Sequence, residues 1–172
     1  MVLLDKVLIT GGNGLIGKEI DFGIKLSHDE LDVTDKISIA NAFNKYSPSA
    51  VLNLASMNLK ESQKEPSKAI EVNTIGTYNL ALETKTRGIP LIIVSTGAVF
   101  NGDKSRDFKN SDTPDPQNVY GQTKYLSEIA SAFNPKSIII RTGWLFGFRK
   151  EKNFFNNMLI SVILDNDFVP VI

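Results

Sequence analysis

The sequence predicts an α/β fold, a doubly wound parallel sheet with helices on both faces. Three observations predict it. Short apolar runs rich in valine and isoleucine alternate with longer segments of helical spacing; a glycine-rich stretch joins the first run to the first helical segment; and glycine or proline stands at the joins further on. At 172 residues and 42% hydrophobic content, the chain suffices for one domain with a proper core.

The elements follow in order. Residues 6–10, 50–54, 91–96 and 137–141 are the apolar runs, and they read as strands covered on both faces. A short second strand is expected over 23–26, and a third is expected to end at Asp32. Helical spacing covers residues 14–21, 35–46, 67–87 and 119–133. Thr34 is placed to cap the second of these, Gly88 and Pro90 end the third, and Pro135 ends the fourth. Residues 101–117, rich in Asp, Lys, Ser and Pro, form the longest irregular segment, and a loop of that length predicts a lid or binding loop. No repeat, low-complexity tract or linker divides the chain.

Charge and composition exclude several functions. Nineteen basic and nineteen acidic residues leave no net charge, so neither nucleic acid nor an anionic membrane is an expected partner. Without cysteine there is no disulfide, thiol nucleophile or thiolate metal site, and the single histidine, His28, builds no metal cluster. Charge interrupts Met1-Val2-Leu3-Leu4-Asp5-Lys6 too early for a signal-peptide core, and no apolar run approaches the roughly 20 residues that span a bilayer. A soluble cytoplasmic protein is the expectation.

The glycine stretch is Thr10-Gly11-Gly12-Asn13-Gly14-Leu15-Ile16-Gly17. Gly11 permits a sharp exit from the first strand, Gly14 lets backbone N–H groups approach a pyrophosphate at the helix start, and Gly17 allows close packing of helix on sheet. A strand before it and a helix after it are the context a dinucleotide-binding turn requires. Such turns are ordinarily followed, about 20 residues on, by an acid that holds the ribose 2′-OH. Here the second strand ends in Lys25-Leu26-Ser27-His28 without one. Lys25, Ser27 and His28 suit a 2′-phosphate or are turn residues, and Asp32 suits an adenine amine or a helix cap, so the choice between NADH and NADPH stays open.

A hundred residues later stands Tyr120-Gly121-Gln122-Thr123-Lys124. Tyr120 and Lys124, four apart on a predicted helix, share one face. A phenol titrates near pH 10, and an ammonium beside it favours the phenolate. Lowering it by about three pH units takes roughly 4 kcal/mol, which Lys124 together with an oxidised, positively charged nicotinamide can supply. Ser95 and Thr96 end the preceding strand at its carboxyl edge, where Thr96 can bond a substrate oxygen beside Tyr120.

Together with Leu31-Asp32-Val33-Thr34-Asp35, Asn53-Leu54-Ala55, Val72-Asn73-Thr74-Ile75-Gly76-Thr77, Asn118-Val119-Tyr120-Gly121 and Arg141-Thr142-Gly143-Trp144-Leu145-Phe146-Gly147, these motifs resemble the extended short-chain dehydrogenase/reductases. Within them the chain most resembles the dTDP-4-dehydrorhamnose reductases. That resemblance implies a Rossmann-like domain over residues 1–172, whose last part, from about 148, begins a substrate-binding lobe. It implies NADPH or NADH bound along Gly11, Asn13, Gly14, Leu15, Ile16, Asp32, Val33, Ser56, Met57 and Asn58, with Tyr120 and Lys124 on the nicotinamide ribose. It further implies a nucleotide-sugar substrate whose ketone takes a proton from Tyr120 while Lys124 tunes that proton, with Thr96 and Trp144 against the sugar.

Two departures from the family pattern stand out. The reductases read Ser-Thr-Asp-Tyr-Val-Phe where this chain has Ser95-Thr96-Gly97-Ala98-Val99-Phe100, and their Val-Asp-Lys is replaced around Leu59-Lys60-Glu61. The chain also stops at Phe168-Val169-Pro170-Val171-Ile172, where the family continues into its C-terminal lobe. A shortened substrate lobe is therefore expected, and with it loss of cover over Phe154, Phe155, Met158, Leu159 and Val162, which makes homo-oligomerisation one remedy. Reduction of a 4-keto nucleotide sugar is the expected activity; an epimerase or dehydratase of the same superfamily, and a non-catalytic NAD(P)-binding regulatory subunit, are its alternatives.

Overall fold

A computed structural model describes residues 2–102 and 107–143, together with the backbone of Val169–Pro170. β1 (Val7–Thr10) is buried at every position because it lies inside the sheet, between β2 (Ile24–Lys25) and β3 (Ala50–Asn53). β4 (Leu91–Thr96) and β5 (Ser137–Thr142) continue from β3, all five strands being parallel, and β6 (Val169–Pro170) adds an antiparallel edge on β5. The order is β2-β1-β3-β4-β5-β6.

Strand alternation divides the core between the two faces of the sheet. Leu8, Val51, Leu91 and Ile93 belong to the larger apolar cluster, which α2 (Lys36–Tyr46) closes with Ile39, Ala42 and Phe43 and α5 (Gly76–Thr86) closes with Leu80 and Ala81. Val7, Ile9 and Ala50 point the other way, with Ile20, Leu52, Leu54 and Ile92 packed against them. Phe43, Leu8, Leu80 and Leu91 are fully buried, each contributing roughly 1.5–3 kcal/mol of apolar burial.

Several elements differ from expectation, each for a local reason. Residues 14–21 yield only α1 (Leu15–Glu19). There is no strand before Asp32: its carboxylate accepts the main-chain N–H and the hydroxyl of Thr34, both at 2.8 Å, and so bends the chain into a turn. Leu31 and Val33 are apolar because their side chains enter the core, although their backbone pairs with no strand. Asp35, whose carboxylate accepts the Ile37 N–H, caps α2 in place of Thr34.

The long helix expected over 67–87 is broken up. α4 (Pro66–Ala69) passes through a π-helical turn, Ile70–Ile75, into α5. A further helix, α3 (Leu59–Lys64), precedes it, started by a capping box between Asn58 and Glu61. α6 (Val119–Ser131) lies within its predicted span and packs beside α5 and β4. In the irregular segment, the Phe100 and Phe108 rings stack with centroids 4.4 Å apart. The expected lobe from about 148, and the apolar residues there on which an oligomer was expected, lie outside the described residues.

Candidate functional site

β2 and β3 flank β1 on opposite sides, so the strand order reverses at β1, and in such sheets ligands bind beyond the carboxyl ends at that point. The glycine turn sits there. Gly11 has φ +63°, and a Cβ on it would lie 2.9 Å from the Leu54 carbonyl and the Ala55 nitrogen. A Cβ on Gly12 would meet that of Lys25 at 2.8 Å. The two glycines thus let the ends of β1, β2 and β3 converge on one narrow floor. A Cβ on Gly17 would lie 2.5 Å from the Gly12 carbonyl, so this glycine makes room for the turn itself rather than for the sheet.

The cradle fits a dinucleotide. Gly14 is the N-cap of α1 and no side chain among the described residues caps that end, which leaves N–H groups directed outward for a phosphate. Asn13, Gly14 and Leu15 are exposed and Ile16 is half-buried, so the turn is open to solvent where a cofactor would lie. Across the floor, Ser56 and Asn58 are exposed, whereas Met57 is buried, and Asn58 already caps α3. Val33 is likewise buried, its carbonyl taken by the Asn79 amide at 3.2 Å. Val33 and Met57 therefore offer a ligand no exposed side chain. Asp32 is half-buried and takes two bonds from Thr34 on one of its oxygens.

The second corner is built by α6. Asn118 caps it, accepting the Gly121 N–H at 2.8 Å, and Gly121 lies so close to the Ala98 carbonyl that any side chain there would collide with it. This contact presses the start of α6 onto the single helical turn Gly97–Val99, and brings half-buried Tyr120 beside the Thr96 side chain. Thr96 also accepts the Ala98 N–H at 3.1 Å and stands beside Thr142 in the β4–β5 register. Gly97 itself has room: an added Cβ would meet only the Thr142 carbonyl, at 3.7 Å. Trp144 lies outside the described residues.

Burial dominates the electrostatics of this corner. Burial raises the Tyr120 phenol above its ordinary value, and Thr96 beside it opposes this only in part. Lys124, 5% exposed, is driven down to about 8 by burial, against the pull of Glu128 one turn further on. Among the described residues its ammonium has no hydrogen-bond partner. Glu128 is a weak counter-ion because it is already engaged: Arg141 holds both its oxygens, at 2.9 and 2.7 Å, and the Ser95 hydroxyl donates to one at 2.5 Å. Without a bound cofactor, the tyrosine is thus held protonated.

A buried polar chain joins the two corners, and no single signal in the sequence singled it out. The Thr10 hydroxyl donates to Asn53 at 2.6 Å and accepts the N–H groups of Leu54 and Ala55. Asn53 donates to Thr77, which donates to the Asn73 carbonyl. The Asn73 amide, in the π-helical turn, donates to Thr123 at 2.9 Å, while its oxygen accepts the Met57 N–H at 2.8 Å and the Ser56 hydroxyl at 3.1 Å. Thr123 in turn donates to the Tyr120 carbonyl. An asparagine amid helical apolar residues, 0% exposed, was the one available hint.

A glycine cradle at the reversal point and a Thr/Tyr/Lys corner beside it define an extended short-chain dehydrogenase/reductase. Within that class the chain belongs to the family described as the RmlD substrate binding domain, whose model matches residues 5–171. It is 34% identical over 166 residues to the spore coat polysaccharide biosynthesis protein SpsK of Bacillus subtilis, covering 91% of this chain and 58% of that protein. It is 33% identical to a dTDP-4-dehydrorhamnose reductase of Aggregatibacter actinomycetemcomitans, over 90% of this chain and 56% of the relative. Among solved structures, the Bacillus anthracis dTDP-4-dehydrorhamnose reductase in complex with NADP superposes with a TM-score of 0.81 at 27% identity, covering 88% of this chain and 58% of that one. The chain thus spans little more than half the length of these relatives. No helix among the described residues is long and apolar enough to cross a membrane, and no cluster of three or more His, Cys, Asp or Glu there could hold a metal ion.

Proposed function

We propose that the protein carries the cofactor-binding and proton-transfer part of an NAD(P)H-dependent reductase acting on a 4-keto nucleotide sugar. The observation that carries this reading is the contact of Thr96 with Tyr120, one helical turn from buried Lys124, at the carboxyl edge of β4 beside the glycine cradle. The two relatives named as dTDP-4-dehydrorhamnose reductases support it. Bound NAD(P)H would supply the hydride; the residues of this chain do the rest.

Gly11, Asn13, Gly14, Leu15 and Ile16 form the pyrophosphate side of the cradle, and Asp32, Val33, Ser56, Met57 and Asn58 its adenosine and ribose side. Tyr120 is protonated at neutral pH, so it presents a proton to the sugar carbonyl oxygen as negative charge develops there. Thr96 bonds the same oxygen or the phenol and aligns the two. Lys124, still largely an ammonium at pH 7, stabilises the phenolate once the proton has gone. Trp144 is assigned to the sugar side.

The test is binding followed by turnover. NADH and NADPH are titrated by nicotinamide fluorescence, and oxidation of the tighter one is followed with a dTDP-4-keto-6-deoxy sugar. Tyr120→Phe is expected to lower kcat by roughly 10²-fold or more with cofactor affinity little changed; a near-normal kcat overturns the assigned role. Gly97-Ala98, in place of the Asp-Tyr that the reductases carry there, favours one second reading, a non-catalytic NAD(P)-binding subunit. Cofactor binding with no turnover would support that one instead.

A further inference from the structure

The end of β2 resolves what the sequence left open there. The Gly12 N–H donates to the Leu26 carbonyl at 2.9 Å, so the residue after Leu26 stands directly beside the glycine cradle. In dinucleotide folds this is where an acid receives the ribose 2′-OH. Ser27 follows, and its main-chain N–H and its hydroxyl converge on one oxygen of Glu30, at 2.9 and 2.8 Å. Glu30 is exposed, and its second oxygen has no partner among the described residues. The chain therefore brings an acid to the expected place from five residues beyond the strand, by folding a turn back on Ser27.

Of the surrounding cations, Lys45 lines the same cavity as Glu30 and lends it positive charge, while the two nearest in sequence are turned elsewhere. The Lys25 ammonium is bound to the Ile20 carbonyl at 2.9 Å, and His28 approaches Asp32, 4.0 Å from its carboxylate. The donors that would suit a 2′-phosphate at Ser27 are both satisfied by the protein's own carboxylate. Those two bonds, the main-chain one foremost, hold the Glu30 carboxyl below its ordinary range, so it is fully charged at neutral pH.

We propose that Glu30 is the residue that sets dinucleotide choice: its free oxygen accepts the adenosine 2′-hydroxyl, its charge opposes a 2′-phosphate, and the protein prefers NADH. The proposal rests on the cofactor reading above and goes beyond it, since neither the resemblance nor the family match distinguishes the two dinucleotides. A hydroxyl donor gains a bond there, whereas a phosphate meets a carboxylate and finds the Ser27 donors taken. The preference is selective because only the 2′ substituent differs between the two ligands.

The experiment is a fluorescence titration of the purified protein with NADH and with NADPH at one fixed salt concentration, on wild type and Glu30→Gln. Glutamine keeps an oxygen for the Ser27 donors and so preserves the turn while removing the charge. Wild type is expected to bind NADH about tenfold or more tightly over NADPH, and Glu30→Gln to tighten NADPH about tenfold with NADH changed less than threefold. Thermal melting of the variant within a few degrees of wild type establishes that the turn survives; should it not, Glu30→Asp, which keeps the charge, is expected to restore the NADH preference. A wild type that prefers NADPH, or a ratio unmoved by Glu30→Gln in a folded protein, overturns the proposal. Binding of neither dinucleotide overturns the cofactor reading itself, a result distinct from both.

Discussion

Lys124→Met is the substitution whose consequence the structure specifies most closely. The wild-type lysine is 5% exposed and its ammonium has been driven from an ordinary 10.5 to about 8 by burial, because Glu128 is already neutralised by Arg141. Below about pH 8 the folded and unfolded chains both carry the proton, so stability does not depend on this group's titration, and the full cost of burying the charge is present. Between about 8 and 10.5 the unfolded chain binds more protons than the folded one, so stability rises with pH. The gap of 2.5 pH units, at about 1.36 kcal/mol each, corresponds to roughly 3 kcal/mol. Methionine has a similar length and no charge to desolvate. Urea unfolding at a series of pH values from 7 to 10.5 measures the difference between the two proteins. Lys124→Met is expected to be the more stable at pH 7 by up to about 3 kcal/mol, an advantage that shrinks as pH rises toward 10.5. An advantage that stays constant or grows with pH would refute burial as the cause. The same substitution removes the charge assigned to the phenolate, so gain in stability with loss of turnover is the expected pairing.

Two further substitutions probe the frame that aligns the site. Gly121→Ala places a methyl group into the Ala98 carbonyl, which is main chain and cannot swing aside; the start of α6 must move off the Gly97–Val99 turn. Urea unfolding is expected to register a loss of about 1–3 kcal/mol, and turnover should fall with cofactor affinity largely kept, because Tyr120 is displaced from Thr96 while the cradle is untouched. Asn73→Ala strips partners from the Met57 N–H, Ser56 and Thr123 at once, and a loss of about 2–4 kcal/mol by the same method is expected, together with weaker NAD(P)H binding as residues 56–58 loosen. A stability change within 0.5 kcal/mol in either would show that the contact is slack.

What was legible in the sequence and what was not divide along a physical line. Signals that act within a few residues could be read directly: the valine and isoleucine of β1, β3, β4 and β5, the glycines of the turn, and the helical spacing that puts Tyr120 and Lys124 on one face. Signals that depend on what lies across the fold could not. Leu31 and Val33 have strand-like spacing but owe it to the core, while the backbone there is bent by Asp32 and Thr34. Residues 67–87 have unbroken helical spacing, yet the helix opens into a π turn where the Asn73 amide is required between Met57 and Thr123.

The acidity of Tyr120 follows the same rule. Lys124 sits one turn from the phenol, and its charge together with that of an oxidised nicotinamide is what the sequence offers to lower it. Across the fold, however, burial acts on both groups, and on each it disfavours the charged form: the tyrosine rises and the lysine falls. Burial thus holds the proton on the phenol, while Lys124, still largely an ammonium at pH 7, is left to stabilise the phenolate once that proton has gone. That is the state from which a proton donor starts. The resting geometry therefore fits reduction of a carbonyl, where the proton leaves Tyr120, better than oxidation of an alcohol, where a phenolate must be waiting. A pH profile tests this directly. Reduction is expected to lose rate as pH rises through the phenol's titration, and the reverse reaction to gain rate over the same range; a reductive rate that rises with pH would reverse the assignment.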